Sequence, residues 1–539
     1  MTEASQPLSA DRIPAGSLRG DWVPVCELEE ILPEAGICAL VHGRQVAVFR
    51  VHDSLHAIDN LDPASGANVL SRGIVGDVKG ERVVASPLYK QHYSLTTGRC
   101  LEDPARWVHV HGTRLLDGRV WVNADPPAVS APVRKRRLIV VGNGMAGMRA
   151  VEELIALAPD AYDITVFGDE PHGNYNRILL SPLLAGEKRA EELVLHPPAW
   201  YAERGIALHA GDPVVHIDRR RRKVRSLAGR ELPYDRLLLA TGSRPIVLPI
   251  PGADLPGVVT FRDLTDVDVM LQATRTYSRA AVIGGGLLGL EAAHGLMRRG
   301  MDVTVVHLPA TLMERQLDPA AAALLKASLE SRGLEFRMRT QTVAVLGEER
   351  ARGLRFDDGS ELEADLIVMA VGVRPRIDLA RDAGLACRRG ILVDDTLQTY
   401  DPSIYAVGEC VEHRNSTFGL VAPLWEQARV CAVHLAELGA SRYRGTLVPT
   451  QLKVAGIELY SAGDFSDGDG ADALVLRDPE RGVYKRVVIR DGKLKGAVLY
   501  GDVRNGSWYL ELMRTGRDVG ALRHSLLFGP AGAQGGMPG

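Results

Sequence analysis

Two glycine clusters constrain this chain more than anything else in it. Leu138-Ile139-Val140-Val141 runs straight into Gly142-Asn143-Gly144-Met145-Ala146-Gly147 and a helical stretch through Leu157, which sets a GxGxxG motif between a strand and a helix. In that context the first glycine allows the tight turn, the second lets the backbone approach a pyrophosphate, and the third lets helix and strand pack closely. The helix N-terminus adds a favourable dipole for the anion. A following strand, Asp163 to Phe167, leads to Asp169 and Glu170, 27 and 28 residues after Gly142, where a carboxylate can take ribose hydroxyls.

The pattern then repeats. Ala281-Val282-Ile283 enters Gly284-Gly285-Gly286-Leu287-Leu288-Gly289-Leu290-Glu291, 142 positions after the first cluster, and a strand, Asp302 to Val306, follows. One match alone is weak, but two in the same context imply two bound dinucleotides. At the end of the later strand stands His307, where an NAD enzyme usually carries an acid, so NAD and NADP both stay open. His307 and Arg315 are the residues to test for a 2′-phosphate.

The rest of the sequence accommodates this core. A length of 539 residues gives roughly three to four domains at about 150 residues each, and 46% hydrophobic with 24% charged residues is ordinary globular composition. A net charge of −3 provides no electrostatic footprint for nucleic acid. Six scattered cysteines are too few for a disulfide scaffold and fit a reducing compartment. The first residues are polar, and the most apolar window, Ala280 to Met297, is broken by Glu291 and His294, so a cytoplasmic protein is expected.

Along the chain, 21–124 reads as short alternating strands such as Gln45 to Phe49 and Arg82 to Ala85, with turns at Asp62-Pro63 and Asp117-Gly118. A Pro-rich stretch and a basic run, Arg134 to Arg137, make 125–137 a linker. Strands and helices alternate from Leu138 to about Leu435, the pattern of parallel sheets. A β-rich segment with a turn at Asp491-Gly492 occupies 446–520, and the glycine-rich tail beyond Phe528 reads as unstructured. Cys410 with His413 and Cys431 with His434 share a C-x2-H spacing, but they read as core or surface residues, and no metal site is expected.

Between and after the fingerprints lie Leu239-Ala240-Thr241-Gly242-Ser243-Arg244-Pro245, Val371-Gly372-Val373-Arg374-Pro375 and Ile404-Tyr405-Ala406-Val407-Gly408-Glu409. Together these resemble the two-dinucleotide FAD/NAD(P)H flavoproteins. The resemblance implies that Gly142, Gly144, Gly147 and Glu170 hold the FAD pyrophosphate and adenosine ribose, with Thr241 and Gly242 lining the flavin domain. It also implies that Glu409 approaches the ribityl chain, where the family more often has Asp, and that Gly284, Gly286, Gly289 and Gly372 lie along the nicotinamide nucleotide. Gly168 to Pro171 with Tyr175, Arg177, Leu180 and Ser181 resembles the flavin-proximal segment of ferredoxin-reductase-like members, which adds Arg177 to the flavin set. The implied division is an FAD domain, 138–260 with 376–435, and an NAD(P) domain, 261–375.

The fuller run, with Leu312-Met313, Gln316-Leu317-Asp318, Gly408-Glu409-Cys410 and Tyr484-Lys485-Arg486, is similar to the flavoprotein half of NAD(P)H-dependent assimilatory nitrite reductase. Independently, Ile31-Leu32-Pro33, Cys38-Ala39-Leu40, Val69 to Gly73 and Ala85 to Gln91 resemble that system's small subunit, a Rieske-like sandwich. Rieske centres bind [2Fe–2S] through two Cys and two His, whereas the corresponding loops here read Asp59-Asn60-Leu61-Asp62 and Ser86-Pro87-Leu88-Tyr89, so no cluster is expected. The fold class expected is an all-β Rieske-like sandwich, then an α/β two-dinucleotide flavoprotein fold, then a small α+β cap.

No Cys pair follows Gly147 in the manner of a disulfide reductase, and four-cysteine sets for iron–sulfur or siroheme sites are missing, so the chain is not expected to reduce nitrite itself. The resemblance implies hydride transfer from NAD(P)H to FAD, without side-chain acid–base catalysis. Electrons then pass to a siroheme/iron–sulfur nitrite reductase subunit or a molybdenum nitrate reductase subunit. A homodimer is compatible with this, and neither nucleic acid nor membrane is an expected partner. The alternatives are a reductase serving ferredoxin, rubredoxin or an oxygenase, and a redox-sensing interaction protein.

Overall fold

Strand-forming runs closed by residues in left-handed turns build the first part of the chain. In the computed structural model, which describes residues 21–103, 106–124, 135–439, 441–454 and 456–530, the strands Ala35–Val41, Arg44–Val51, Ser54–Asp59 and Val110–His111 form one antiparallel sheet. Trp22–Glu27, Arg119–Asn123 and Thr113–Leu116 form a second, and Ile74–Val78, Glu81–Ala85 and His92–Ser94 a third. The Asp117-Gly118 turn has both residues at positive φ, 49° and 80°, the twist that suits a two-residue hairpin. Phe49, Ile58, Leu70, Val84 and Tyr93 fill the core on one side, and Ile31, Val46, Val48, Val120 and Val122 on the other. Most of the expected linker (125–134), the first 20 residues and the last nine lie outside the described residues.

The residues fall into two units: one runs to Arg136 and includes Leu154–Tyr162 and Val433–Ala440, and the other takes the remainder. In the second part of the chain, two five-stranded sheets share one plan. In the first, the order is β3 (Ala207–His209), β2 (Tyr162–Phe167), β1 (Arg136–Val141), β4 (Arg236–Leu239) and Ile404–Ala406. In the second, the order is β8 (Glu335–Met338), β7 (Asp302–His307), β6 (Arg279–Ile283), β9 (Leu366–Met369) and β5 (Val258–Thr260), parallel throughout. In each, the strand that precedes a glycine fingerprint is central and leads into a helix, α1 (Met145–Leu157) after β1 and α4 (Leu287–Arg298) after β6. Strands buried on both faces need continuous apolar runs, and Leu366 to Met369 and Ala280 to Ile283 supply them.

Two short antiparallel strands, Ser243–Pro245 and Val373–Pro375, carry the chain between these halves, so the two glycine-containing connectors expected from sequence lie side by side. The helix α2 (Leu180–Leu184) packs against α3 (Leu264–Ala273) and α4. A five-stranded antiparallel sheet, 450–500, with the helix Gly506–Thr515 on it, forms the α+β C-terminal region, and its Asp491-Gly492 turn is again left-handed. Its Tyr484 hydroxyl donates to Asp318 Oδ2 at 2.5 Å, and Asp318 caps α5 (Pro319–Glu330), which anchors the sheet to the second dinucleotide half. Among the described residues, no helix is long and apolar enough to cross a membrane.

Candidate functional site

The two fingerprints repeat one another atom for atom in what they require of glycine. Gly142 and Gly284 stand at φ +113° and +120°, and a Cβ on either would lie 2.1 Å from Ala240 O or 2.3 Å from Ala370 O, the carbonyl that follows the neighbouring strand. Gly147 and Gly289 meet the loop itself, with a Cβ falling 2.9 Å from Gly142 O or 1.9 Å from Gly284 O. Gly144 and Gly286 differ, because nothing lies within 4 Å of a Cβ built on either. Only at these middle positions is the backbone left bare toward open space at the start of a helix, the arrangement that receives a diphosphate.

Around the first cradle, Glu170 accepts hydrogen bonds from the Tyr175 hydroxyl (2.7 Å) and the Arg177 guanidinium. Burial raises the Tyr175 phenol well above its ordinary range; Arg177 opposes this and Glu170 adds to it, so the phenol remains a donor. Arg177 also donates to Arg262 O at 3.0 Å, while the Arg262 guanidinium and the Ser243 hydroxyl (2.8 Å) both bond Glu409 Oε2. Glu170, Arg177 and Glu409, which are far apart in sequence, are thereby connected through Arg262. Thr241 Oγ1 donates to Arg376 O at 2.7 Å, and Gly242, at φ +67°, accepts from Arg376 N at 2.9 Å. Gly372, at φ +114°, turns the matching connector in the second half.

Sequence reasoning missed Arg262 and the support behind the first loop. Tyr201 donates to Asn143 Oδ1 at 2.7 Å, and Asn174 Nδ2 donates to Asn143 O at 2.9 Å. His196 bridges Asn174 Oδ1 (3.0 Å) and Glu152 Oε1 (2.8 Å) on α1. Only Asn143 of these belongs to the fingerprint, and it occupies a position the motif leaves free. In the second half His307 is buried: its Nδ1 accepts from Gly285 N at 3.0 Å, and its Nε2 lies 3.1 Å from Thr311 O and 3.3 Å from Glu314. Both ring nitrogens are therefore engaged beneath the loop. Of the C-x2-H residues, Cys410, His413 and Cys431 are buried and His434 is partly exposed, and His413 bonds Asp395 at 2.8 Å.

The sequence pattern of pyridine nucleotide-disulphide oxidoreductases matches residues 136–432, more than half of the chain. The chain belongs to this oxidoreductase family. Outside that range, the pattern of rubredoxin NAD+ reductase C-terminal domains matches residues 449–517, and a Rieske-like [2Fe-2S] domain pattern matches 21–123. The chain is 49% identical over 385 residues to a nitrite reductase [NAD(P)H] of Bacillus subtilis (strain 168), covering 71% of this chain and 48% of that protein. It is 44% identical over 395 residues to the assimilatory nitrate reductase electron transfer subunit of the same organism, covering 73% and 51%. It thus spans about half the length of these relatives. Among solved structures, a covalent putidaredoxin reductase–putidaredoxin complex superposes with a TM-score of 0.65 at 27% identity, covering 71% of this chain and 94% of that one. Membership brings FAD and a nicotinamide nucleotide as cofactor and substrate, which the two open cradles fit.

In the Rieske-like region the two loops that carry cluster ligands in Rieske centres are bonded to each other here. Asp62 is fully buried and accepts from Ala64 N (2.9 Å), Ser65 Oγ (2.9 Å), Ser86 Oγ (2.8 Å) and Tyr93 OH (2.8 Å). Burial alone would raise its pKa, but these four donors outweigh it and hold the carboxyl below the ordinary range. Asn60 is equally buried, donating to Gln45 Oε1 (3.1 Å) and accepting from Ser71 N (2.7 Å).

Proposed function

We propose that the chain is the FAD-carrying, NAD(P)H-oxidising input of assimilatory nitrite or nitrate reduction, delivering electrons to a separate siroheme/iron–sulfur or molybdenum subunit in the cytoplasm. The observation that carries it is the pair of open cradles at Gly144 and Gly286, each between the central strand of a five-stranded sheet and the helix that follows it. The acceptor class is supported by the names of the relatives at 49% and 44% identity and by the Rieske-like region joined to the core.

FAD, when bound, supplies acceptance of a hydride and release of electrons singly or in pairs. The chain's task is positioning. In this reading Gly142, Gly144 and Gly147 with the start of α1 hold the FAD diphosphate, and Glu170 the adenosine ribose. Arg177, Thr241, Gly242 and Glu409 line the flavin end, and Gly284, Gly286, Gly289 and Gly372 lie along the nicotinamide nucleotide. The domain limits anticipated from sequence are part of the same proposal. The N-terminal region has no cysteine or histidine at the cluster loops, and the donors there are spent on Asp62 and Asn60, so a [2Fe–2S] cluster does not fit and the region serves as a docking module.

Anaerobic titration with NADH and NADPH, following flavin absorbance and assaying iron, tests this reading. Flavin bleaching without iron, and nitrite or nitrate reduction only after a catalytic subunit is added, is the expected result. Stoichiometric iron overturns the clusterless docking region, and an unreduced flavin overturns the enzyme. A second reading, a reductase for a ferredoxin or rubredoxin, is favoured by the match of 449–517 to rubredoxin reductase C-terminal domains. Turnover with such an acceptor at rates above those with the nitrite- or nitrate-reducing subunit would select it.

A further inference from the structure

The two dinucleotide halves match bond for bond at the turn after the second strand, where a dinucleotide fold reads the adenosine ribose. Gly142 N donates to Phe167 O at 2.8 Å, and Gly284 N donates to Val306 O at 2.8 Å, so Phe167 in β2 corresponds to Val306 in β7. Across the next strand pair, Phe167 lies opposite His209 and Val306 opposite Arg337. Two residues further on, Gly211 N donates to Glu170 O at 2.9 Å and Arg339 N to Pro309 O at 3.4 Å. The same backbone bond closes the same turn in both halves. Glu170 therefore corresponds to Pro309, and Gly211 to Arg339.

The side chains at this turn differ. Asp169 and Glu170 of the first half become Leu308 and Pro309 in the second, so the turn after β7 carries no carboxylate for a 2′-hydroxyl. Opposite it a glycine becomes an arginine with its backbone still left-handed: φ is +69° at Gly211 and +54° at Arg339. That conformation is unfavourable for a residue with a Cβ, and strain of this kind beside a ligand cradle points to function. A Cβ on Gly211 would pass 3.6 Å from Pro171 Cα, and by the same correspondence the Arg339 side chain leaves its backbone beside Ala310.

Arg339 is exposed, and among the described residues its guanidinium has no hydrogen-bond or ion-pair partner. Charged groups on the adjoining segments are committed elsewhere. Arg337 lies over the Phe356 ring at 5.1 Å and donates to Ser360 Oγ at 3.5 Å. Glu314 lies 3.3 Å from His307 Nε2, and Asp357 accepts from Gln341 N at 3.3 Å.

Resting on the proposed use of NAD(P)H, we propose that Arg339 reads the 2′-phosphate of NADPH and makes NADPH the preferred reductant. A planar guanidinium offers paired N–H donors to a phosphate dianion. With NADH those donors meet a neutral hydroxyl, and the acid that would reward that hydroxyl is replaced by Leu308 and Pro309. The strained arginine and the missing carboxylates are separate observations on the two sides of one turn, and both select the phosphorylated nucleotide.

The test uses the FAD-loaded protein. Wild-type kcat/KM should favour NADPH over NADH at least about tenfold, the worth of a charge-assisted bond. R339G installs the residue that the first half carries at this turn and suits the left-handed backbone, so the fold is not at risk. It should lower that ratio at least about tenfold, through the KM for NADPH and not through kcat. Calorimetry reads the same contact without turnover. Adenosine 2′,5′-bisphosphate should bind wild type at least about tenfold more tightly than adenosine 5′-monophosphate, with a steeper fall in salt, and R339G should erase the difference. A wild-type ratio near one or in favour of NADH, or a ratio and a bisphosphate affinity unmoved by R339G, overturns the inference while leaving the enzyme reading intact. So does a ratio that R315A moves and R339G does not. Failure of both nucleotides to bleach the flavin overturns the proposed function, and this inference with it.

Discussion

Gly285 donates its backbone N–H to Nδ1 of His307 at 3.0 Å, and a Cβ on Gly285 would come within 2.9 Å of that ring. The imidazole thus serves as the floor of the second glycine loop. With Nδ1 an acceptor and Nε2 facing Thr311 O and Glu314, no nitrogen is left for a 2′-phosphate. H307A should therefore weaken NADH and NADPH alike, by about tenfold, the usual cost of a lost buried hydrogen bond. Their kcat/KM ratio should stay within about threefold, less than one tenfold step of 1.4 kcal/mol. A ratio moved more than that by H307A, or by H307E, would mean that the ring reads the 2′ position after all.

The glycines of the first loop separate folding from ligand binding. A methyl at Gly142 would sit 2.1 Å from a backbone carbonyl at φ +113°, so G142A should destabilise the protein by at least about 2 kcal/mol. Gly144 has open space and no positive φ, so G144A should leave the apoprotein melting temperature within about 2 °C, as a compatible Gly→Ala change does. It should nevertheless weaken FAD binding at least about tenfold by placing the methyl in the diphosphate cradle. Calorimetric melting of the apoprotein and FAD titration check the two halves of the prediction.

What the sequence made legible and what it hid follow from one distinction. A glycine spacing encodes backbone geometry directly, so both strand–turn–helix units could be read from Gly142 and Gly284 without any tertiary knowledge. The α/β core and the β-rich regions on either side of it were legible for a related reason, the change from period-2 alternation to continuous apolar strands. Arg262 was not legible, because its role against Glu409 spans 147 positions and no local pattern marks it. The Tyr201–Asn143–Asn174–His196 chain was hidden likewise. Side-chain networks depend on which elements the fold brings together, and that information is not periodic.

That hidden chain yields a prediction of its own. Asn143 O and Oδ1 are fixed by Asn174 and Tyr201, and Asn174 is oriented by His196. Y201F removes one of these bonds and H196A loosens the other support, so each should cost about 1–3 kcal/mol of stability. FAD affinity should fall about threefold to tenfold in both, the effect of removing a partner that orients a binding group. Because the loop and not the chemistry is loosened, kcat at saturating FAD should be little changed; a variant with normal FAD affinity but reduced kcat would refute a supporting role.

Asp62 supplies the last prediction. Its carboxylate ties Ser65 to the two loops that hold Ser86 and Tyr93, and D62A leaves the buried Ser86 hydroxyl and the Ala64 N–H without this acceptor and the Tyr93 hydroxyl with only Gln91 Oε1 at 3.3 Å. Each unsatisfied group costs about 1–3 kcal/mol, so unfolding of the N-terminal region should be eased by about 2–5 kcal/mol while flavin content is retained. D62N keeps the shape but turns an acceptor into a donor facing one hydroxyl, and should lie between the two. The pH dependence follows from the sign of the shift: the folded-state pKa is below the unfolded value of about 3.9, so the contribution is full above that pH. It is lost as pH falls through the folded pKa, in the window below about pH 4. Chemical denaturation of wild type and D62A at pH 7 and pH 3.5 should show the stability gap narrowing at the lower pH; a gap that is unchanged would mean that Asp62 does not hold these loops through its charge.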